Sequence, residues 1–173
     1  IPFLAKHGGI PNLISLRYNP GSRREGSFIM GDPSEVKYGF TKEQIFEGLA
    51  DLKHRGVDRF GLHTFIASNE LNPQYFVDTA AMMFKLAVEV KERLNINLEF
   101  LNIGGGIGIP YRPEEEPVDL EYVGSGIKEK YDEIIKENGL DPLAIFMECG
   151  RMITGPYGYL VSKVIHKKDI YKN

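Results

Sequence analysis

The stretch Leu98-Glu99-Phe100-Leu101-Asn102-Ile103-Gly104-Gly105-Gly106-Ile107-Gly108 decides the fold. A run of about six mostly apolar residues is too short for a buried helix and has the length of a strand covered on both faces. It ends abruptly in three glycines. The segment before it runs from Asn72-Pro73 and places Phe76, Ala80, Met83, Ala87, Val90 and Leu94 on one helical face through about five turns. Working outward, Thr41 with Gln44 makes a capping-box start, followed by Ile45, Leu49 and Leu52, with Gly56 as a stop. A third helix is expected from near Ser125 through Ile127, Tyr131, Ile134 and Ile135 to Asn138-Gly139. Short apolar runs lie between these helices: Leu13 to Leu16, Phe60 to Leu62, Leu98 to Ile103, and Leu143 to Met147. The alternation predicts an α/β fold with a buried parallel sheet. A further run, Tyr159 to Ile165, follows the last strand with no helix between, so the alternation breaks there.

The bulk composition narrows the function classes. Among 173 residues, 42% are hydrophobic and 26% charged, an ordinary globular balance that can bury a core. The formal charge of −3 carries no basic footprint for nucleic acid or anionic lipid. No apolar run approaches the roughly 18 residues of a membrane span. Small molecules or another protein are the expected partners, with no nucleic acid and no membrane. The single cysteine, Cys149, excludes an internal disulfide and cannot build a thiolate metal site by itself; it suits a cytoplasmic protein. Ile1-Pro2-Phe3-Leu4 has no signal-peptide character and no initiating Met, which fits a mature or truncated chain. The stretch Tyr111 to Val118, with Glu114, Glu115 and Glu116 in a row, reads as a solvated loop.

In parallel α/β folds ligands sit at the carboxyl ends of the strands, where connecting loops and helix starts converge. After the first run comes Arg17-Tyr18-Asn19-Pro20-Gly21, and after the second His63-Thr64-Phe65-Ile66-Ala67-Ser68-Asn69. The third leads into the glycines and the fourth into Glu148-Cys149-Gly150-Arg151. Gly104, Gly105 and Gly106 can turn backbone N–H groups toward one point, as a phosphate requires, or can be only a tight turn. The spacing lacks the third glycine of a dinucleotide fingerprint and has no Lys-Ser or Lys-Thr for a nucleotide, which favours a small phosphate-bearing cofactor. Ser68 is a local turn residue or a hydroxyl for that phosphate. His63 is a hydrogen-bonded core side chain or a ligand, with no second metal-type residue at useful spacing, so no metal is expected.

Glu148 ends the apolar run Ile145-Phe146-Met147, and a carboxylate buried there must be paired or strongly perturbed. A pyridinium nitrogen is a suitable partner; a structural pair with Arg151 is the plainer one. Arg151, three residues on, has the forked geometry for a phosphate or a carboxylate.

These segments resemble a known family. Gly104 to Gly108, Glu148-Cys149-Gly150-Arg151 and Thr154-Gly155-Pro156 resemble the GGGxG and EPGR motifs of the ornithine, diaminopimelate and arginine decarboxylases of pyridoxal-phosphate fold type III. Gly61-Leu62-His63, Ile66 and Ser68 resemble its GLHxHIGS segment, Arg17 to Gly21 its RFNPG, and Lys37-Tyr38-Gly39 its KFG. The matches run in family order, and the chain is most similar to the diaminopimelate branch.

The resemblance implies the later part of a (β/α)8 barrel over residues 1–157, with 158–173 leading as a strand into a C-terminal β-domain. It implies pyridoxal 5′-phosphate as cofactor and, in the complete enzyme, decarboxylation of meso-2,6-diaminopimelate to L-lysine and CO2 by a homodimer. Related alternatives are another basic amino acid (ornithine, arginine or carboxynorspermidine) or a noncatalytic barrel that binds protein. Gly104, Gly105 and Gly106 would bind the phosphate with Ser68 helping. Glu148 would hold the pyridine nitrogen, and Cys149, Gly150 and Arg151 would line the cofactor. Arg151 would also contact a substrate carboxylate, with Arg17 and His63 near the site.

Three positions depart from the family pattern. Phe65 stands where most members have a ring-stacking histidine, Ala67 where they have glycine, and Cys149 where they have proline. Phe65 can keep the stacking while losing proton transfer. The family's cofactor-binding lysine matches upstream of Ile1, and the cysteine and tyrosine that complete its site match beyond Asn173. The segment alone is therefore expected to be inactive and only marginally stable.

Overall fold

The computed structural model describes residues 1–23, 31–169 and 171 of the chain. Four strands, β1 (Leu13–Arg17), β2 (Arg59–His63), β3 (Leu98–Asn102) and β4 (Ala144–Phe146), form one parallel sheet in the order β1-β2-β3-β4. The crossovers are α2 (Lys42–His54), α3 (Pro73–Leu94) and α4 (Leu120–Lys130), and a short α1 (Pro2–His7) precedes β1.

The helix signals act as expected. The Thr41 hydroxyl accepts from Gln44 N while the Gln44 side chain accepts from Thr41 N, a complete capping box, and Gly56 at φ +90° ends the turn. Asn72 caps α3 at Gln74 N, and Asn95, in the left-handed region, ends it. The third helix starts earlier than Ser125: Asp119 Oδ1 accepts from Tyr122 N at 2.9 Å, and the helix continues from Lys130 through a wider π-type turn over Tyr131–Lys136. Gly126 belongs there because an added Cβ would lie 2.6 Å from Val77 of α3. The acidic loop is solvated at Glu114 and Glu116, while Glu115 turns back to accept from Tyr111 N and Arg112 N.

Register settles which face does what. Leu16, Leu62, Leu101 and Ile145 stand side by side across the sheet, and one residue on, so do Arg17, His63, Asn102 and Phe146. Neighbouring rows project to opposite faces. The first row joins Ile45, Leu49, Leu52, Ala80, Met83, Phe84, Ala87, Val90 and Ile135 in one apolar cluster. All three crossover helices therefore cover the same face. Consecutive strands in sequence order with every helix on one side is the winding of a (β/α) barrel, not of a doubly wound sheet. The other face carries Phe100, whose ring lies where a Cβ on Gly61 would come within 2.3 Å, and Phe146 meets that ring edge-on at 5.5 Å.

Two expectations are corrected. Leu143 to Met147 is not a strand buried on both faces: among the described residues β4 pairs only with β3, and Phe146 is 54% exposed. Nor do Tyr159 to Ile165 form a strand. Tyr159 and Leu160 are 91% and 96% exposed, and no described residue pairs with them.

Candidate functional site

The strand ends are tied together by backbone bonds that extend the ladder into the loops. Tyr18 N donates to His63 O, Thr64 N to Asn102 O, Ile103 N to Phe146 O, and Glu148 N to Gly104 O, at 2.6–3.0 Å. The loops after β2 and β3 are also zipped. Glu70 N donates to Gly106 O and Gly108 N to Glu70 O, while Asn69, itself at φ +54°, accepts from Ile109 N.

This close approach is why the triplet is glycine. An added Cβ would lie 2.3 Å from Thr64 O at Gly104, 2.0 Å from Glu148 O at Gly105 and 2.3 Å from Ala67 O at Gly106. Gly104 and Gly106 also have φ of +78° and +88°. Gly104 N donates to Asn102 Oδ1, but the N–H groups of Gly105, Gly106 and Ile107 have no acceptor among the described residues. Buried N–H groups are rarely left so.

Beside them opens a cavity of about 380 Å³ lined by Phe65, Ser68, Asn69, Gly106, Ile107, Glu148, Gly150 and Arg151. Arg151 Nη2 stands 3.4 Å from Ser68 Oγ, so a guanidinium and a hydroxyl meet next to the free amides. That donor set fits a phosphate monoester. At Glu148, Oε1 accepts from Asn102 Nδ2 at 2.9 Å and lies 3.4 Å from His63 Nε2, while Oε2 has no partner among the described residues. A free carboxylate oxygen at the same cavity fits a protonated ring nitrogen.

The structure brings Phe65, Ser68, Gly106, Glu148, Gly150 and Arg151 to one cavity. Gly104, Gly105 and the exposed Cys149 are not among the residues that line it. Glu148 is not buried among the described residues: its side chain is 52% exposed. It makes no ion pair with Arg151; its neighbours are Asn102 and His63. His63 Nε2 is itself buried with no hydrogen-bond partner. Burial, helped by the positive charge of Arg17, holds this imidazole below its ordinary pKa against the opposing pull of Glu148.

Arg17 supports the wall rather than lining the cavity. Nη2 donates to Phe65 O at 2.7 Å, and the guanidinium stacks 4.3 Å over the Tyr38 ring and 5.8 Å from that of Phe65. Asn102, Asn69 and Tyr38 were not foreseen as site residues; the only signal for Asn102 is an amide interrupting an apolar run just before the triplet.

Residues 4–155 match the family model of the pyridoxal-dependent decarboxylases, over the pyridoxal-binding domain. The chain belongs to this family. Its pyridoxal-binding domain is an α/β barrel structure, and the cofactor is pyridoxal 5′-phosphate. Among curated pyridoxal-dependent decarboxylase relatives, the chain is similar to a diaminopimelate decarboxylase of Methanothermobacter thermautotrophicus, 32% identical over 92% of the chain and 37% of that protein. It is also similar to Protein TabA of Pseudomonas amygdali pv. tabaci, 31% identical over 91% of the chain and 37% of that protein. A point variant of diaminopimelate decarboxylase from Helicobacter pylori, crystallised with L-lysine, superposes with a TM-score of 0.71 at 28% identity, covering 87% of this chain and 36% of that one. The chain thus spans less than two fifths of the length of these relatives. Among the described residues no helix is long and apolar enough to cross a membrane.

Proposed function

We propose that this chain supplies the cofactor rim of an enzyme that decarboxylates meso-2,6-diaminopimelate to L-lysine and CO2. The observation that carries the reading is the pairing, across one cavity, of unused glycine-loop amides beside Ser68 and Arg151 with a carboxylate whose second oxygen is free. When bound, pyridoxal phosphate supplies the electron sink that lets a carboxylate leave as CO2.

The chain's own residues hold and tune it. The loop Gly104 to Gly106 takes the phosphate, with Ser68 adding a hydroxyl. Glu148 takes the pyridine nitrogen and keeps it protonated, which strengthens the sink. Phe65 packs on the ring face without a titratable group, its main chain fixed by Arg17. Arg151 lines the cofactor beside Ser68 and also meets a substrate carboxylate, and Cys149 and Gly150 shape the turn between Glu148 and Arg151. Residues 1–157 belong to the barrel and 158–173 lead toward a β-domain, in a cytoplasmic homodimer whose remaining parts supply the covalent anchor.

The substrate assignment rests on similarity to the diaminopimelate branch. It is tested by side-by-side turnover of diaminopimelate, ornithine, arginine and carboxynorspermidine by the full-length protein. Preference for diaminopimelate is expected; turnover of another amine with none of diaminopimelate would overturn the substrate, and failure to bind pyridoxal phosphate would overturn the whole reading.

A further inference from the structure

One amide at the end of β3 touches both halves of the site. Asn102 Oδ1 accepts from Gly104 N at 2.9 Å, and Asn102 Nδ2 donates to Glu148 Oε1 at 2.9 Å. No other described side chain bonds both the glycine turn and the carboxylate. Its neighbour across the sheet is His63, in register with it and therefore on the same face. The Nε2 of His63 is buried, unpartnered, and 3.4 Å from that same Oε1. An imidazole this placed, and kept neutral by burial and by Arg17, donates one N–H at most and brings no competing charge.

We infer that Asn102 is a positioning residue of the cofactor site: with His63 beside it, its amide fixes Glu148 Oε1 to the turn at Gly104, so that Oε2 alone is presented to the ring nitrogen. This rests on the reading that Glu148 pairs with that nitrogen. Among the described residues Asn102 Nδ2 is the hydrogen-bond donor to Glu148 Oε1, so this bond selects the rotamer that leaves Oε2 free. A carboxylate held by one oxygen gives the ring nitrogen a single, directional partner. Left free, it would share its charge with water and keep that nitrogen protonated for less of the time. The chemistry of the amide fits both of its contacts: a leucine at this position could serve neither, and an aspartate could accept from Gly104 but not donate to Glu148.

The test uses the full-length protein and a double-mutant cycle of Asn102→Ala and Glu148→Ala. It reads the dissociation constant for pyridoxal phosphate and the nitrogen-15 shift of its ring nitrogen at neutral pH. In the presence of Glu148, Asn102→Ala is expected to weaken binding about tenfold, the size of one hydrogen bond to a charged group, and to move the ring-nitrogen signal toward the unprotonated position. In the Glu148→Ala background the same change is expected to cost less than about twofold. Asn102→Asp, which keeps the acceptor for Gly104 and stays close to the native shape, should lose the ring-nitrogen effect as fully as Asn102→Ala. An equal loss with and without Glu148, or an unmoved ring-nitrogen signal in both Asn102 variants, would overturn the inference. A Glu148→Ala protein that keeps the ring nitrogen protonated would instead overturn the reading of Glu148 on which it rests.

Discussion

Gly105→Ala isolates the contact between the glycine turn and β4. Gly105, unlike Gly104 and Gly106, does not have a positive φ, so alanine carries no backbone strain and the effect is steric. The new Cβ would lie 2.0 Å from Glu148 O, 2.8 Å from its carbonyl carbon and 3.1 Å from its Cβ. A carbon and an oxygen need more than 3 Å, so the main chain at Glu148 must retreat by about 1 Å. That movement strains the 2.8 Å bond from Glu148 N to Gly104 O and the 2.9 Å bond from Asn102 to the Glu148 carboxylate. Overpacking costs about 1–3 kcal/mol and a strained hydrogen bond about another 1 kcal/mol, so a loss of about 2–4 kcal/mol is expected. Gly104→Ala meets Thr64 O at 2.3 Å and must also hold φ near +78°, which adds about 1 kcal/mol. Urea denaturation of the full-length protein measures both, and pyridoxal phosphate affinity reports the displaced carboxylate. Wild-type stability and affinity in Gly105→Ala would refute the reasoning, because the loop would then tolerate a side chain that the backbone packing excludes.

Other substitutions separate this crowding from glycine behaviour elsewhere. Gly124 lies inside α4 with nothing within 4 Å of an added Cβ, so Gly124→Ala should stabilise by about 0.5–1 kcal/mol in the same denaturation assay. Thr41→Ala removes one half of the capping box on α2 and should cost about 1 kcal/mol, while Thr41→Ser should cost little. The pKa of His63 is lower in the folded protein than its ordinary 6.5, so the unfolded chain binds a proton first. Its contribution is therefore intact above that value and is lost as the pH falls from it toward the folded pKa; stability curves of wild type and His63→Gln should converge or cross in that acid window and run parallel above it.

The elements were legible where burial repeats with a period. Phe76, Ala80, Met83, Ala87 and Val90 form a stripe that only a helix explains, and every one of them is buried. The start of α4 was misplaced because its first turn buries only Val123, with Leu120 and Tyr122 about half exposed, so little periodicity marks it. α1 buries nothing, so no periodicity announces it. The apolar run ending at Met147 suggested a buried carboxylate at Glu148, but among the described residues β4 has a neighbour on one side only, and strand neighbours are not encoded in the strand itself.

Within the site, the residues that carry charge or lack a side chain stood out in the sequence, whereas those that join them did not. Ser68, Glu148 and Arg151 follow apolar runs and were visible for that reason, and they meet at one cavity. That Gly105 must be glycine because Glu148 O lies against it depends on a partner 43 positions away, which no local pattern reveals. Asn102 is a single amide in an apolar strand, and its two bonds exist only because β3 runs into the triplet and pairs with β4.

The most direct test of the account is the rate of CO2 release from meso-2,6-diaminopimelate by the full-length protein loaded with pyridoxal phosphate, compared with its Glu148→Ala variant at saturating cofactor. Loss of the charge at the ring nitrogen is expected to lower turnover by about a hundredfold or more. A rate within about twofold of wild type would contradict the placement of Glu148 at the ring nitrogen, and with it the assignment of this rim as the cofactor site.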